Sequence, residues 1–419
     1  MPFLPRLATA AALAVVVASG LPAHAHAPRD AKPGGPRMDI EVQVTPPLTG
    51  SVTPGGRDAV VAVDSFGNRF AVARKEVVGA VVSADPRARA LSRVGAWQWW
   101  SADEGLTWQN LDLLPRGAET FVPERVDRDL ASDGARTYLA EVGPVGAVVT
   151  PVVATKRGRL TPANPGVVPV LSSSSSRPAI AAHGGRTVLL ATQTAAGGGS
   201  QVDASYDTGE TWGPTATPVV GTACDLAADP RPGSKAVAAT CLDGTRVLLH
   251  TSLDDGRTFT TRVLGTTDSR GGDRGLPQVD VGPDGVPTVL SGLTLWRVTA
   301  DGVTRQNLHN EKGDYRASTV AVSGRGRVGV AAYRLLPGDR GWNVVITVFT
   351  PGRAPVWADF AFHDPAGRTA TAGPPSDRLS VDFDPLGQVH LVWTATRLHS
   401  AELDSPLLRN VWSVRSTTP

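Results

Sequence analysis

Ser101-Ala102-Asp103-Glu104-Gly105-Leu106-Thr107-Trp108 recurs as Ser205-Tyr206-Asp207-Thr208-Gly209-Glu210-Thr211-Trp212 and as Ser252-Leu253-Asp254-Asp255-Gly256-Arg257-Thr258-Phe259. The shared pattern, S-x-D-x-G-x-T-[WF], holds five of eight positions, and three chance copies are very improbable. Its chemistry is that of a hairpin turn. An aspartate side chain accepts hydrogen bonds from amides of its own turn, and glycine supplies the positive φ of the return. The terminal aromatic then folds into an apolar gap beside the sheet. Asp103, Gly105, Trp108, Asp207, Gly209, Trp212, Asp254, Gly256 and Phe259 are therefore read as structural. A carboxylate satisfied by its own turn is a poor acid or base.

Working outward, a second pattern precedes each of these turns and also occurs without them. It reads Val61-Ala62-Val63-Asp64, Leu130-Ala131-Ser132-Asp133, Ile180-Ala181-Ala182-His183, Leu226-Ala227-Ala228-Asp229, Val279-Asp280-Val281-Gly282, Val320-Ala321-Val322-Ser323 and Val381-Asp382-Phe383-Asp384. Gly67, Gly134, Gly184, Gly233, Gly285, Gly324 and Gly387 follow closely, each leading into another apolar strand. Units of roughly fifty residues suit a four-stranded propeller blade. With 45 glycines and 34 prolines punctuating the chain and few helix signals, the expected class is all-β. The expected fold is a β-propeller of seven blades, with six as the alternative. Asp39–Val44 alternates like a strand and is expected to complete the last blade beside Asn410–Ser416.

The 419 residues carry a formal charge of +2, which gives no case for a nucleic-acid partner. Basic residues are nearly all arginine, as in a high-GC bacterial genome. Arg6, the apolar run Leu7–Leu21 and Ala23-His24-Ala25-His26-Ala27 read as a secretory signal peptide cleaved near Ala25 or Ala27. Residues 1–27 are thus assigned to the signal, 28–38 to a disordered arm and 39–419 to the propeller. No other run is long and apolar enough to span a bilayer, so an exported, soluble monomer is expected. Cys224 and Cys241 are expected to pair as a disulfide between strands joined by Pro230-Arg231-Pro232-Gly233. No metal or cofactor motif is present.

In such a fold the S-x-D-x-G-x-T-[WF] turns share one face, and the lead-ins to the innermost strands share the other. Those lead-ins are rich in arginine: Arg57, Arg128, Arg177, Arg274, Arg316 and Arg378, with Asp225 in the fourth unit. Converging guanidinium groups suit a carboxylate, sulfate or phosphate on a ligand; solvated loop caps are the plainer reading of each residue. Two loops add chemistry. Arg397–Arg409 holds His399, Glu402 and Asp404, and Leu335–Asn343 holds Arg340 and Trp342, a candidate sugar-stacking surface.

The repeated turns, the signal sequence and the blade count together resemble the sialidase-like Asp-box (BNR repeat) superfamily, across roughly residues 39 to 416. Ser176-Arg177-Pro178-Ala179-Ile180-Ala181 and Ser376-Asp377-Arg378-Leu379-Ser380-Val381-Asp382 look like blade lead-ins of its exported bacterial members. Sialidases of that superfamily grip a carboxylate with three arginines and use a tyrosine nucleophile, a carboxylate assisting it and a separate aspartic acid. The first arginine's Phe/Tyr-Arg-Ile-Pro motif is missing before Ser101, and of four tyrosines only Tyr315 stands at the mouth. Three functions follow as expectations. The first is binding of a glycan or other acidic ligand by Arg57, Arg128, Arg177, Arg316, Arg378 and Trp342. The second is hydrolysis of acidic sugars, with Tyr315 as nucleophile assisted by Glu402 or Glu124, and Asp129 or Asp377 as acid. The third is a scaffold for a protein or cell-wall partner.

Overall fold

A computed structural model describes residues 36–39, 41–44, 53–78, 96–110, 127–143, 146–156, 159–162, 178–193, 199–217, 219–267, 276–309, 314–335, 342–360, 378–396 and 409–417. The fold is a seven-bladed β-propeller of four-stranded antiparallel sheets. Blade 1 runs outward through Thr53–Val63, Arg69–Val78, Ala96–Ser101 and Gln109–Asn110. The innermost strands of blades 2 to 7 are Asp127–Ser132, Ala179–His183, Thr222–Ala228, Gln278–Val281, Tyr315–Val322 and Ser380–Phe383. Each contains the first three residues of one copy of the apolar pattern read from the sequence. Blade 7 is closed by the chain's early segment: Val42 and Gln43 pair with Ser413 and Trp412, and Met38 bridges Ser416. Residues 1–27, expected to be a signal sequence, lie outside the described residues, among which no helix is long and apolar enough to cross a membrane.

Among the described residues the core is divided rather than single. Seven apolar clusters fill the seven junctions between neighbouring blades. Successive strand residues point to opposite faces, so a strand between two blades must be apolar on both. Ile180 accordingly packs toward blade 2 while Ala181 packs toward blade 4. This explains why the innermost strands read as apolar runs rather than as alternating ones.

The three repeated turns adopt one geometry. In the first, Asp103 Oδ1 accepts from the Thr107 amide at 2.9 Å and the Ser101 hydroxyl at 2.8 Å, while Ser101 Oγ accepts from the Gly105 amide at 2.9 Å. Asp207 and Asp254 repeat these bonds with Thr211 and Ser205, and with Thr258 and Ser252. The aromatics seal the junction to the preceding blade: Trp108 donates to Ser413 of blade 7, Trp212 packs against the blade 2–3 cluster and Phe259 sits in the blade 3–4 cluster. Gly256 has φ of +79°, and a Cβ there would lie 2.2 Å from Leu189 Cδ2 of blade 3. The innermost hairpins turn at left-handed glycines as expected, except that Gly326 takes this role in blade 6 in place of Gly324.

Cys224 and Cys241 form the expected disulfide. It crosses a β-bulge in which Ala223 and Cys224 together oppose Cys241, between the pairs Thr222–Leu242 and Asp225–Thr240. Blades 1 and 6 carry the same bulge at Asp58 and Ala317. All three bulges place a residue other than glycine in the left-handed region, with φ of 54° at Asp58, 52° at Ala223 and 50° at Ala317. Each stands three residues before the aligned apolar residue of its strand: Val61, Leu226 and Val320.

Candidate functional site

The innermost strands surround a central channel of about 400 Å³. Each presents one backbone edge to the channel, with amides that the second strand cannot reach. Buried amides without partners are costly, and aspartates meet part of this need. Asp129 Oδ2 of blade 2 accepts from the Ile180 amide of blade 3 at 3.0 Å, and Asp225 Oδ2 of blade 4 accepts from Val279 of blade 5 at 2.9 Å. Asp280 Oδ2 of blade 5 accepts from Val322 of blade 6 at 2.5 Å, and Asp382 Oδ2 of blade 7 accepts from Val63 of blade 1 at 2.7 Å.

The geometry follows a rule of register. Asp129 and Asp225 stand one residue before the aligned apolar position, and they cap that position's amide on the next blade. Asp280 and Asp382 stand one residue after it, and they cap the amide two residues further along. Their other oxygens accept from the following amides of their own strands, Val281 at 2.8 Å and Phe383 at 2.7 Å. Enclosure by the blades pushes both carboxyls up to about 7, against the lowering effect of these bonds. The Asp382 charge adds to the rise at Asp280, and the Asp384 charge adds to that at Asp382.

Of the residues expected to form a ligand site, the structure brings Asp129 and Arg378 together on the channel wall. The Arg378 guanidinium extends from blade 7 past blade 1 to blade 2, where it donates to Asp129 Oδ1 and to the Arg128 carbonyl. Arg128 itself is buried, and its Nε donates to Glu141 at 2.8 Å. Arg316 donates to Asp314 at 3.2 Å and lies over the Trp342 ring at 5.3 Å. Trp342 is only 1% exposed and sits in the blade 6–7 cluster. The open stacking surface expected of it is corrected to a packed side chain, because strand pairing with Leu335 carries it into the junction.

Tyr315 packs against the blade 5–6 cluster, its ring edge-on to His309 at 5.6 Å and tilted against Trp357 at 6.0 Å. The Arg57 side chain, Glu124, Arg177, Arg274, Asp377, Arg340 and the 397–408 loop with His399, Glu402 and Asp404 lie outside the described residues. Sequence reading by function overlooked Asp280 and Asp382. The signal was present: both occupy the same position of the apolar pattern, in Val279-Asp280-Val281 and Val381-Asp382-Phe383. Among the described residues no group of three His, Cys, Asp or Glu is placed to hold a metal ion.

No protein-family model matches the chain, and no curated protein matches it. Solved structures do. A GH74 enzyme from Niastella koreensis superimposes with a TM-score of 0.53 at 16% identity, covering 81% of this chain and 51% of that one. The GH74 xyloglucanase from Xanthomonas campestris gives 0.50 at 16% identity, covering 89% and 55%. A Trypanosoma rangeli sialidase gives 0.47 at 15% identity, covering 87% and 55%. The chain spans about half the length of these proteins, and at such identities what it shares with the two GH74 structures is the propeller fold.

Proposed function

We propose that the chain is an exported, sialidase-like Asp-box propeller that binds a glycan at the mouth of its central channel. The observation that carries this reading is the Arg378–Asp129 pair on the channel wall. It sets a fixed row of donors beside a carboxylate acceptor in a concave site, which is the chemistry that orients sugar hydroxyls. The fold shared with the Xanthomonas campestris xyloglucanase supports carrying glycan recognition over to this chain. The signal sequence supports export, as the disulfide does.

The test is a glycan-array screen of the secreted protein beside a fluorogenic sialoside assay, repeated with Arg378→Ala. Binding should be lost in the variant while its thermal midpoint shows that the fold persists. Binding undiminished by Arg378→Ala, or none in the parent protein, would remove the reading. Sialoside turnover that disappears in Tyr315→Phe would replace binding with hydrolysis.

A further inference from the structure

The arginines of the lead-ins suggest an acidic ligand; the charges on the channel wall point elsewhere. Asp64, Asp129, Asp225, Asp280, Asp382 and Asp384 line the channel, against Arg378 as the basic residue among its described lining. Asp384 is offset from behind the wall by Arg69. Arg378 is already matched by Asp129, as Arg128 is by Glu141 and Arg316 by Asp314. The balance of the described wall is acidic.

We propose that the ligand of this channel is an uncharged glycan, and that the aspartate wall excludes acidic sugars. The inference rests on the glycan reading above and names its substrate class. Asp129 already neutralises Arg378, so an anionic group placed at the guanidinium gains little from it and stands beside a buried carboxylate of its own sign. It must also enter a narrow space with carboxylates at two depths, where the low dielectric strengthens repulsion. A neutral sugar meets neither obstacle. In Asp280 and Asp382 each carboxylate oxygen accepts one backbone hydrogen bond, and a carboxylate oxygen has room for a second. A sugar hydroxyl can donate there, whereas a sugar carboxylate brings no donor.

Calorimetric titration of the secreted protein near pH 8 with hexamers of N-acetylglucosamine and of galacturonic acid tests the charge class. The neutral hexamer should bind at least about tenfold more tightly, and in the Asp280→Asn/Asp382→Asn double variant the gap should shrink to about threefold or less. Equal or tighter binding of the galacturonate hexamer would overturn the inference while leaving glycan binding intact. If neither hexamer binds, the glycan reading is the one in question, and the charge of the channel is read directly. A small fluorophore attached at Ser132→Cys, on the channel wall, should then be quenched by caesium and acrylamide much more than by iodide. Iodide quenching that matches caesium would refute the acidic wall by itself.

Discussion

Single residues carry the strain of this fold in a few left-handed positions. Ala223 and Ala317 hold φ near 50° without the freedom of glycine, at equivalent bulges of blades 4 and 6. An L-residue there is unfavourable by about 1–2 kcal/mol, partly offset when glycine replaces it because the unfolded chain gains entropy. Ala317→Gly should therefore stabilise the protein by about 0.5–1 kcal/mol, read as a higher urea midpoint. Gly256→Ala should do the reverse. Its methyl would stand at 2.2 Å from the fully buried Leu189 side chain, on a backbone with φ of +79°. A loss of about 2–4 kcal/mol is expected from strain and overpacking together. An unchanged midpoint in Gly256→Ala would show that the blade 3–4 junction is looser than described.

At the scale of the strand, the aspartate caps explain how an innermost strand tolerates a neighbour on each face and an open edge toward water. One carboxylate does two tasks. It satisfies an amide of the next blade and fixes the stagger between two strands that share no ladder. Asp382→Asn and Asp382→Ala separate charge from hydrogen bonding. The amide oxygen of asparagine can still accept from Val63 and the repulsive charge is gone, but its NH2 cannot accept from the Phe383 amide, so Asp382→Asn should lose less stability near pH 8 than the alanine variant does. Asp382→Ala leaves the Val63 amide without its cap and should lose about 1–3 kcal/mol. Hydrogen exchange at Val63 reads the difference: fast in the alanine variant and slow in the asparagine variant. Similar exchange in both would mean that the Asp382–Val63 bond contributes little.

For the whole molecule, the ring closes where blade 7 meets blade 1, and several polar side chains lock that junction. Buried Arg69 donates to His390 Nδ1 at 3.0 Å, to the Gly67 carbonyl at 2.7 Å and to Asp384 at 3.3 Å. Arg415 ties Asp39 of the closing segment to Glu104 of the first repeated turn. Burial holds His390 down at about 4, so its contribution to stability is present above its ordinary value of 6.5 and is lost as pH falls toward 4. Asp280 and Asp382 act with the opposite sign. Raised from 3.8 to about 7, they favour the folded state fully below pH 3.8, and that contribution is lost as pH rises through about 7. Of these three groups, only the aspartates still change charge above pH 6.5. The urea midpoint should therefore fall between about pH 6.5 and pH 8, and the Asp280→Asn/Asp382→Asn variant should flatten that fall. A midpoint that rises across this window would contradict the assignment.

Much of the fold was legible in the chain itself. The three S-x-D-x-G-x-T-[WF] turns and the seven apolar patterns are local, because a turn's hydrogen bonds and a strand's alternation are set by residues a few positions apart. The blade count followed from them, closure by the 39–44 segment from its own alternation, and the Cys224–Cys241 pair from there being two cysteines in a chain read as exported. The site was less legible, since charge pairing between blades depends on residues far apart in sequence. Arg378 and Asp129 are separated by 249 positions, yet they meet on the channel wall. Composition counts the arginines at the lead-ins but cannot say that Glu141, Asp314 and Asp129 already hold three of them. In the same way Trp342 looks available in a loop-rich stretch until strand pairing draws it into the core. Local sequence determined the turns and the repeat, while the ring decided which charges face the channel, because only its closure brings seven strand edges to one axis.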